Sequence, residues 1–154
     1  MADLLVNLLK LPPLETLDAK VLIRRAQPFE LSLVRHFIQQ NFSANWADEA
    51  SVGFANKPVS VFIAAIDQKL VGFAAYECTR RGFFGPTGVV DSARGLGIGK
   101  ALLAASLNAL RDLGYVYAII GAAGPVRFYQ KAVGAIVIPD SESGIYADPI
   151  LPME

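Results

Sequence analysis

Between residues 87 and 121 the chain reads TGVVDSARGLGIGKALLAASLNALRDLGYVYAIIG. An apolar run leads into three glycines at alternate positions, Gly95, Gly97 and Gly99, then into an amphipathic helix and a second apolar run. The helix shows its stripe at Leu102, Leu103, Leu107, Leu110 and Leu113, and Gly114 stands where a C-terminal cap belongs. The run from Tyr115 to Gly121 is apolar throughout, as in a strand buried on both faces. Two strands joined through a helix are parallel, and the crossover is right-handed. This one stretch therefore commits the chain to an α/β fold.

The preceding residues add antiparallel pairing. VSVFIAAI (59–66) and KLVGFAAYEC (69–78) flank Asp67-Gln68 as two arms of a hairpin, and GFFGPTGVV (82–90) is a third run broken at Gly85-Pro86. KVLIRRA (20–26) reads as an earlier strand. After it, Pro28 starts a helix with Phe29, Leu33, Val34 and Phe37 on its apolar stripe. WADEASVGFA (46–55) reads as a second short helix, PVRFYQKAV (125–133) as a third, closed by Gly134. AIVIP and GIYADPI finish the chain. Residues 1–20 read as an N-terminal appendage, either a short helix or an added strand ended by Pro12-Pro13, and residues 21–154 as a single domain.

A length of 154 residues suits one domain, and 53% hydrophobic residues exclude a disordered chain. Fourteen basic and fourteen acidic residues cancel, so no strong field draws nucleic acid or anionic lipid. One cysteine, Cys78, forbids an internal disulfide. With a single histidine, His36, it supplies no metal-ligand spacing, and no metal is expected. The N-terminus lacks a basic start, Asn7 and Lys10 interrupt its apolar run, and no segment nears the ~20 apolar residues of a membrane span. The expectation is a cytoplasmic protein with neither nucleic-acid nor membrane partners.

A glycine-rich entry to a helix suits an anion, because the first N–H groups lack partners and the helix dipole favours negative charge. A P-loop needs a glycine at Arg94 and a hydroxyl at Ala101, and has neither. A dinucleotide fingerprint needs a glycine at Lys100 and an early position in its domain, and both fail. The pattern R/Q-x-x-G-x-G/A is matched at every fixed position by Arg94, Gly97 and Gly99. With RFYQKAVGA (127–135) about thirty residues on, the chain resembles the GNAT superfamily of N-acetyltransferases from residue 21 onward, most strongly over 84–135.

The resemblance implies a mixed, mostly antiparallel sheet with splayed central parallel strands, flanked by helices. It also implies acetyl-CoA as cosubstrate and a small-molecule amine as acceptor, attacking directly. Backbone groups of Val89 and Val90 would pair with pantetheine amides, and an N–H near Val90 would polarise the thioester carbonyl. The N–H groups of Gly95, Leu96, Gly97, Ile98, Gly99 and Lys100, together with Arg94, would hold the pyrophosphate, and Phe128 would touch the cofactor. Tyr129 matches the family's general acid; its bland alternative is a packed aromatic.

Two positions depart from the family's pattern. Ala122 replaces a cofactor-touching asparagine, and GFFGPTGVV carries no acidic base. Glu77 is the nearest acid, acting through water or else solvated beside Arg80 and Arg81. Trp46 and Phe54 are candidates for the acceptor wall. A homodimer is expected; in a reading as a dimeric interaction protein, the leucine-rich N-terminus is the interface. A CoA-binding module without turnover and an interaction protein with a purely structural glycine turn are the other two readings.

Overall fold

A computed structural model describes residues 1–153. The strands are β1 (Leu4–Asn7), β2 (Val21–Arg25), β3 (Val61–Ile66), β4 (Lys69–Tyr76), β5 (Phe83–Val89), β6 (Tyr117–Ile120) and β7 (Ile136–Val137). The helices are α1 (Leu31–Asn41), α2 (Ala44–Val52), α3 (Ile98–Asp112) and α4 (Val126–Val133). One mixed sheet runs in the order β2-β3-β4-β5-β6-β1-β7, and only β5–β6 pair in parallel. No helix among the described residues is long and apolar enough to cross a membrane.

Local chemistry accounts for most junctions. Asp67 and Gln68 both take positive φ, 51° and 64°, as a two-residue hairpin turn requires. Ser43 caps α2 by accepting from the Trp46 N–H at 3.1 Å. Gly114 (φ 104°) and Gly134 (φ 67°) leave α3 and α4 through conformations that side chains disfavour. Alternation along β4 divides its side chains between two cores. Ala74 and Tyr76 pack with Leu102, Leu107 and Leu110 of α3, while Phe73 and Ala75 pack with Val34, Phe37 and Ile38 of α1.

Four details differ from the sequence expectation. Pro28–Glu30 is a separate 3-10 turn, so α1 starts at Leu31 and buries Val34, Phe37 and Ile38; Phe29 and Leu33 face solvent. Leu113 ends α3 exposed. β6 is shorter than the run it lies in and alternates, with Tyr117 exposed and Ala118 and Ile120 buried. The fourth concerns the N-terminal segment. Leu4–Asn7 is a strand inside the sheet, paired with β6 (Leu4↔Ile120 to Asn7↔Tyr117) and with β7 (Leu4↔Val137, Leu5↔Ile136). Leu4, Val6 and Leu8 are 0% exposed. Their period-2 pattern is masked in the sequence because Leu5 and Leu9 are apolar too.

Because Val6 is paired with Ala118 of β6 and enclosed in the core, Val6→Asp should bury an unpaired carboxylate and cost about 3–5 kcal/mol. Leu9→Asp, at a 67% exposed site, should stay within about 0.5 kcal/mol of the parent. Chemical denaturation of the two variants checks this. Equal effects would mean that β1 is not integral to the sheet.

Candidate active site

The site begins with a parting of two strands. β5 and β6 are in register only at Phe83↔Ile119 and Phe84↔Ile120. Immediately afterwards β5 carries one residue more than β4: Ala74 opposes Thr87 and Tyr76 opposes Phe84, leaving a bulge at Gly85-Pro86. Gly85 has φ 118°, open to glycine, and Pro86 has no N–H to offer a neighbour. β5 turns away, β6 ends at Ile120, and a cavity of about 830 Å³ opens between them.

Hydrogen bonding sets which β5 groups face the opening. The Val90 N–H donates to the Val71 carbonyl at 2.9 Å. With Gly88 opposite Phe73 and Val89 opposite Gly72, antiparallel alternation directs the Val89 N–H and C=O away from β4, into the gap. The expected donor at Val90 is thus already committed to the sheet, and Val89 alone of the pair has an unpaired edge. Gly88 lies under the Phe42 ring, which a Cβ would meet at 2.5 Å.

The glycine loop closes one end of the cavity. Gly95 (φ 84°) and Gly97 (φ 77°) both adopt left-handed geometry, and a Cβ at Gly95 would meet nothing within 4 Å. The first helical bond runs from the Ala101 N–H to the Gly97 carbonyl at 3.0 Å. Among the described residues, the N–H groups from Gly95 to Lys100 donate to no backbone acceptor. They crown a fifteen-residue helix, an arrangement that favours negative charge. Ile98 contributes only backbone, its side chain being 1% exposed in the core. The Arg94 Nε lies 3.1 Å from Asp91 Oδ1, and the Lys100 Nζ lies 2.7 Å from Glu15 Oε1. Leu96 packs partly buried against the α3 core.

Tyr129 and Phe128, from α4, line the cavity with Phe84. Tyr129 packs edge-on to Phe84 (6.3 Å) and to Phe128 (5.2 Å), so it is both a packed aromatic and a cavity wall. Burial pushes its hydroxyl up to about 12. Ala122 lines the same cavity, and its N–H donates to Asp3 Oδ1 at 2.8 Å.

The structure places Glu77 elsewhere. It does not line the cavity. Its Oε1 accepts from the Gly82 N–H, and its Oε2 from the Tyr115 hydroxyl at 3.1 Å. It clamps the β4–β5 hairpin and is removed from the catalytic set. Phe54 packs partly buried in the α1 and α2 core, away from the cavity. Cys78 is enclosed near Ser60 and the Tyr76 carbonyl, and burial pushes its thiol up to about 11. His36 is exposed on α1.

The acid that does line the cavity is Glu49. It sits on α2 one turn after Trp46, which also lines the cavity. Its Oε2 accepts from Thr79 Oγ1 at 2.9 Å and its Oε1 from the Tyr146 hydroxyl at 2.8 Å. Burial and then that bond push the Tyr146 hydroxyl up to about 12. The sequence carried one usable signal for Glu49, its i+3 spacing from Trp46. Nothing local pointed to Tyr146, which lies 97 residues from its partner.

The described residues contain no group of three His, Cys, Asp or Glu side chains able to hold a metal. The arrangement suits an extended ligand with its own amides along β5, an anion on that ligand at α3, and a reacting centre near Tyr129.

The fold is shared with solved acetyltransferases. A GCN5-related N-acetyltransferase from Sphaerobacter thermophilus superposes at a TM-score of 0.72 with 20% identity, over 89% of this chain and 48% of that one. A GNAT-family acetyltransferase from Colwellia psychrerythraea gives 0.63 with 18% identity, over 88% and 52%. An aminoglycoside acetyltransferase from an uncultured soil metagenomic sample, in complex with trehalose, gives 0.55 with 18% identity, over 75% and 88%. The chain thus spans about half the length of the first two. No curated protein matches it. The Acetyltransferase (GNAT) family profile matches residues 25–135, across the hairpins, the glycine loop and α4, and the chain belongs to that family.

Proposed function

We propose that this protein transfers the acetyl group of acetyl-CoA to the amine of a small molecule by direct attack. The observation that carries this reading is the cavity itself. An unpaired β5 edge leads to a glycine loop of free N–H groups at one end and to Tyr129 near the strand bulge.

The residues present fit the cosubstrate. The Val89 N–H and C=O supply the edge that a pantetheine arm pairs with as a strand would. The N–H groups of Gly95 to Lys100 receive the pyrophosphate, and the open Cβ position at Gly95 leaves room for it. Lys100 and Arg94 add positive charge there, each now held by a carboxylate, Glu15 and Asp91 respectively. Phe128 is half-exposed at the cavity wall and offers apolar surface. Bound acetyl-CoA supplies an activated acetyl thioester. Tyr129 keeps its proton at Oη because burial disfavours the phenolate, and this proton neutralises a departing thiolate.

Two outcomes test this reading. Gly99 has room for a side chain, since a Cβ there meets only Val89 Cγ2 at 3.8 Å. Gly99→Glu should therefore fold and weaken CoA binding about a hundredfold by calorimetry through like-charge repulsion, with Gly99→Ala much milder. Equal affinity of Gly99→Glu and the parent would remove the anion from the α3 terminus.

Tyr129→Phe should lower kcat about a hundredfold and leave KM for acetyl-CoA within about twofold. The same residue has a stability signature. Its folded value, about 12, lies above the ordinary 10.0, so its stabilisation is complete below pH 10.0 and is lost as pH rises toward about 12. Denaturant midpoints over that window should fall more steeply for the parent than for Tyr129→Phe. Matching slopes would show that Tyr129 is not held neutral by the fold.

A further inference from the structure

We infer that Glu49 is the acceptor site: it captures a singly charged primary ammonium group carried on a flat apolar body and takes its proton. The inference rests on the acetyl-transfer reading above and names what that site accepts.

The charges of the cavity are separated along β5. Arg94 and Lys100 stand beyond its Val89 end, while Thr79, a partner of Glu49, precedes its Phe83 end. Seven strand residues at about 3.3 Å per residue put roughly 20 Å between those ends. Among the described residues, Glu49 is the one acidic residue lining the cavity. A polycation would find one lining carboxylate, with Asp3 behind the wall on the Ala122 N–H, and at the far end two positive side chains already paired with Asp91 and Glu15. A monocation finds complementary charge at one place.

Glu49 is also built to receive a ligand. A carboxylate offers about four acceptor positions, and Thr79 and Tyr146 occupy two. Those two donors hold the group in place from separate parts of the chain, and the remaining positions accept N–H donors. Trp46, 38% exposed, lies on the same face of α2, and Tyr146 brings a second aromatic ring. An aromatic wall beside a carboxylate favours a cation on an apolar frame. In the chemical step, one N–H bond of the ammonium breaks, the proton moves to a Glu49 oxygen, and the electron pair stays on nitrogen as the attacking pair. Glu49 then returns that proton to solvent, and the second proton, lost from nitrogen as the amide forms, restores Tyr129 after its own has gone to the thiolate. Tyr146 is a positioning residue that orients the carboxylate.

Glu49→Gln keeps size and an acceptor oxygen while removing the charge. The probes are phenethylamine, an ammonium near neutral pH, and hydroxylamine, which is largely uncharged there. In the parent, both should be acetylated. In Glu49→Gln, kcat/KM for phenethylamine should fall at least about tenfold more than for hydroxylamine, in line with loss of a charge-assisted contact. An equal fall for both would overturn the proton-accepting role. A second arm needs no turnover: by calorimetry the parent should bind phenethylamine at least about tenfold tighter than 2-phenylethanol, and Glu49→Gln should lose that preference. A preference that survives in Glu49→Gln, or is absent from the parent, overturns the ammonium site. Spermidine binding tighter than phenethylamine would overturn the monocation. If the parent acetylates neither nucleophile, the acetyl-transfer reading fails, while the binding arm still decides the ammonium site.

Discussion

Everything at the site follows from the failure of β5 and β6 to stay paired. Parallel strands in a sheet interior normally bond along their length, because unpaired backbone groups away from water are costly. Here the ladder ends after two residue pairs, at Phe84 and Ile120. The added residue at Gly85-Pro86 bends β5 off its course, and the short β6 has no further residues to follow it. The result is an edge inside the sheet. It is open to a ligand. The sheet holds its shape around this opening because the flanking strands stay paired: β4 resumes its pairing with β5 past the bulge and holds it through the Val90–Val71 bond, and β1 grips β6 over four residues.

The N-terminal strand serves the site as well as the sheet. It delivers Asp3 to the end of β6, where the carboxylate accepts the Ala122 N–H at 2.8 Å. Asp3 backbone groups meanwhile fasten the C-terminal segment, its carbonyl accepting from the Ile138 N–H and its N–H donating to Ser141 Oγ. That segment crosses to the cavity and places Tyr146 on Glu49. Both ends of the chain therefore reach the Glu49 side of the cavity, joining α2 and Thr79 there, while the loop before α3 closes the other end.

Legibility in the sequence follows this division. The loop at Arg94–Lys100, the break at Gly85-Pro86 and the two-residue turn at Asp67-Gln68 are written in local residue chemistry and could be read before the fold was known; that the break is a bulge could not. Val89 and Val90 could not be told apart, because their difference lies in hydrogen-bond phase against β4, which neighbouring residues do not encode. β1 was ambiguous because apolar residues occupy both faces of the run. Glu77 was misplaced for a physical reason. Proximity in sequence to β5 suggested the site, yet its positive φ (58°) and its bond to the Gly82 N–H turn the carboxylate into the hairpin. Glu49 and Tyr146 needed the tertiary fold, since a pair so distant in sequence leaves no periodic trace.

The measurement that bears most directly on this account is residue-resolved amide hydrogen exchange with and without CoA. In the free protein, the Val89 amide should exchange quickly and the Val90 amide slowly, because Val71 already holds the latter. Adding CoA should slow Val89 together with Gly95 to Lys100 and leave Val90 unchanged. Slowing confined to the loop, or a Val89 amide already protected without ligand, would contradict the claim that the parted edge of β5 is the binding surface.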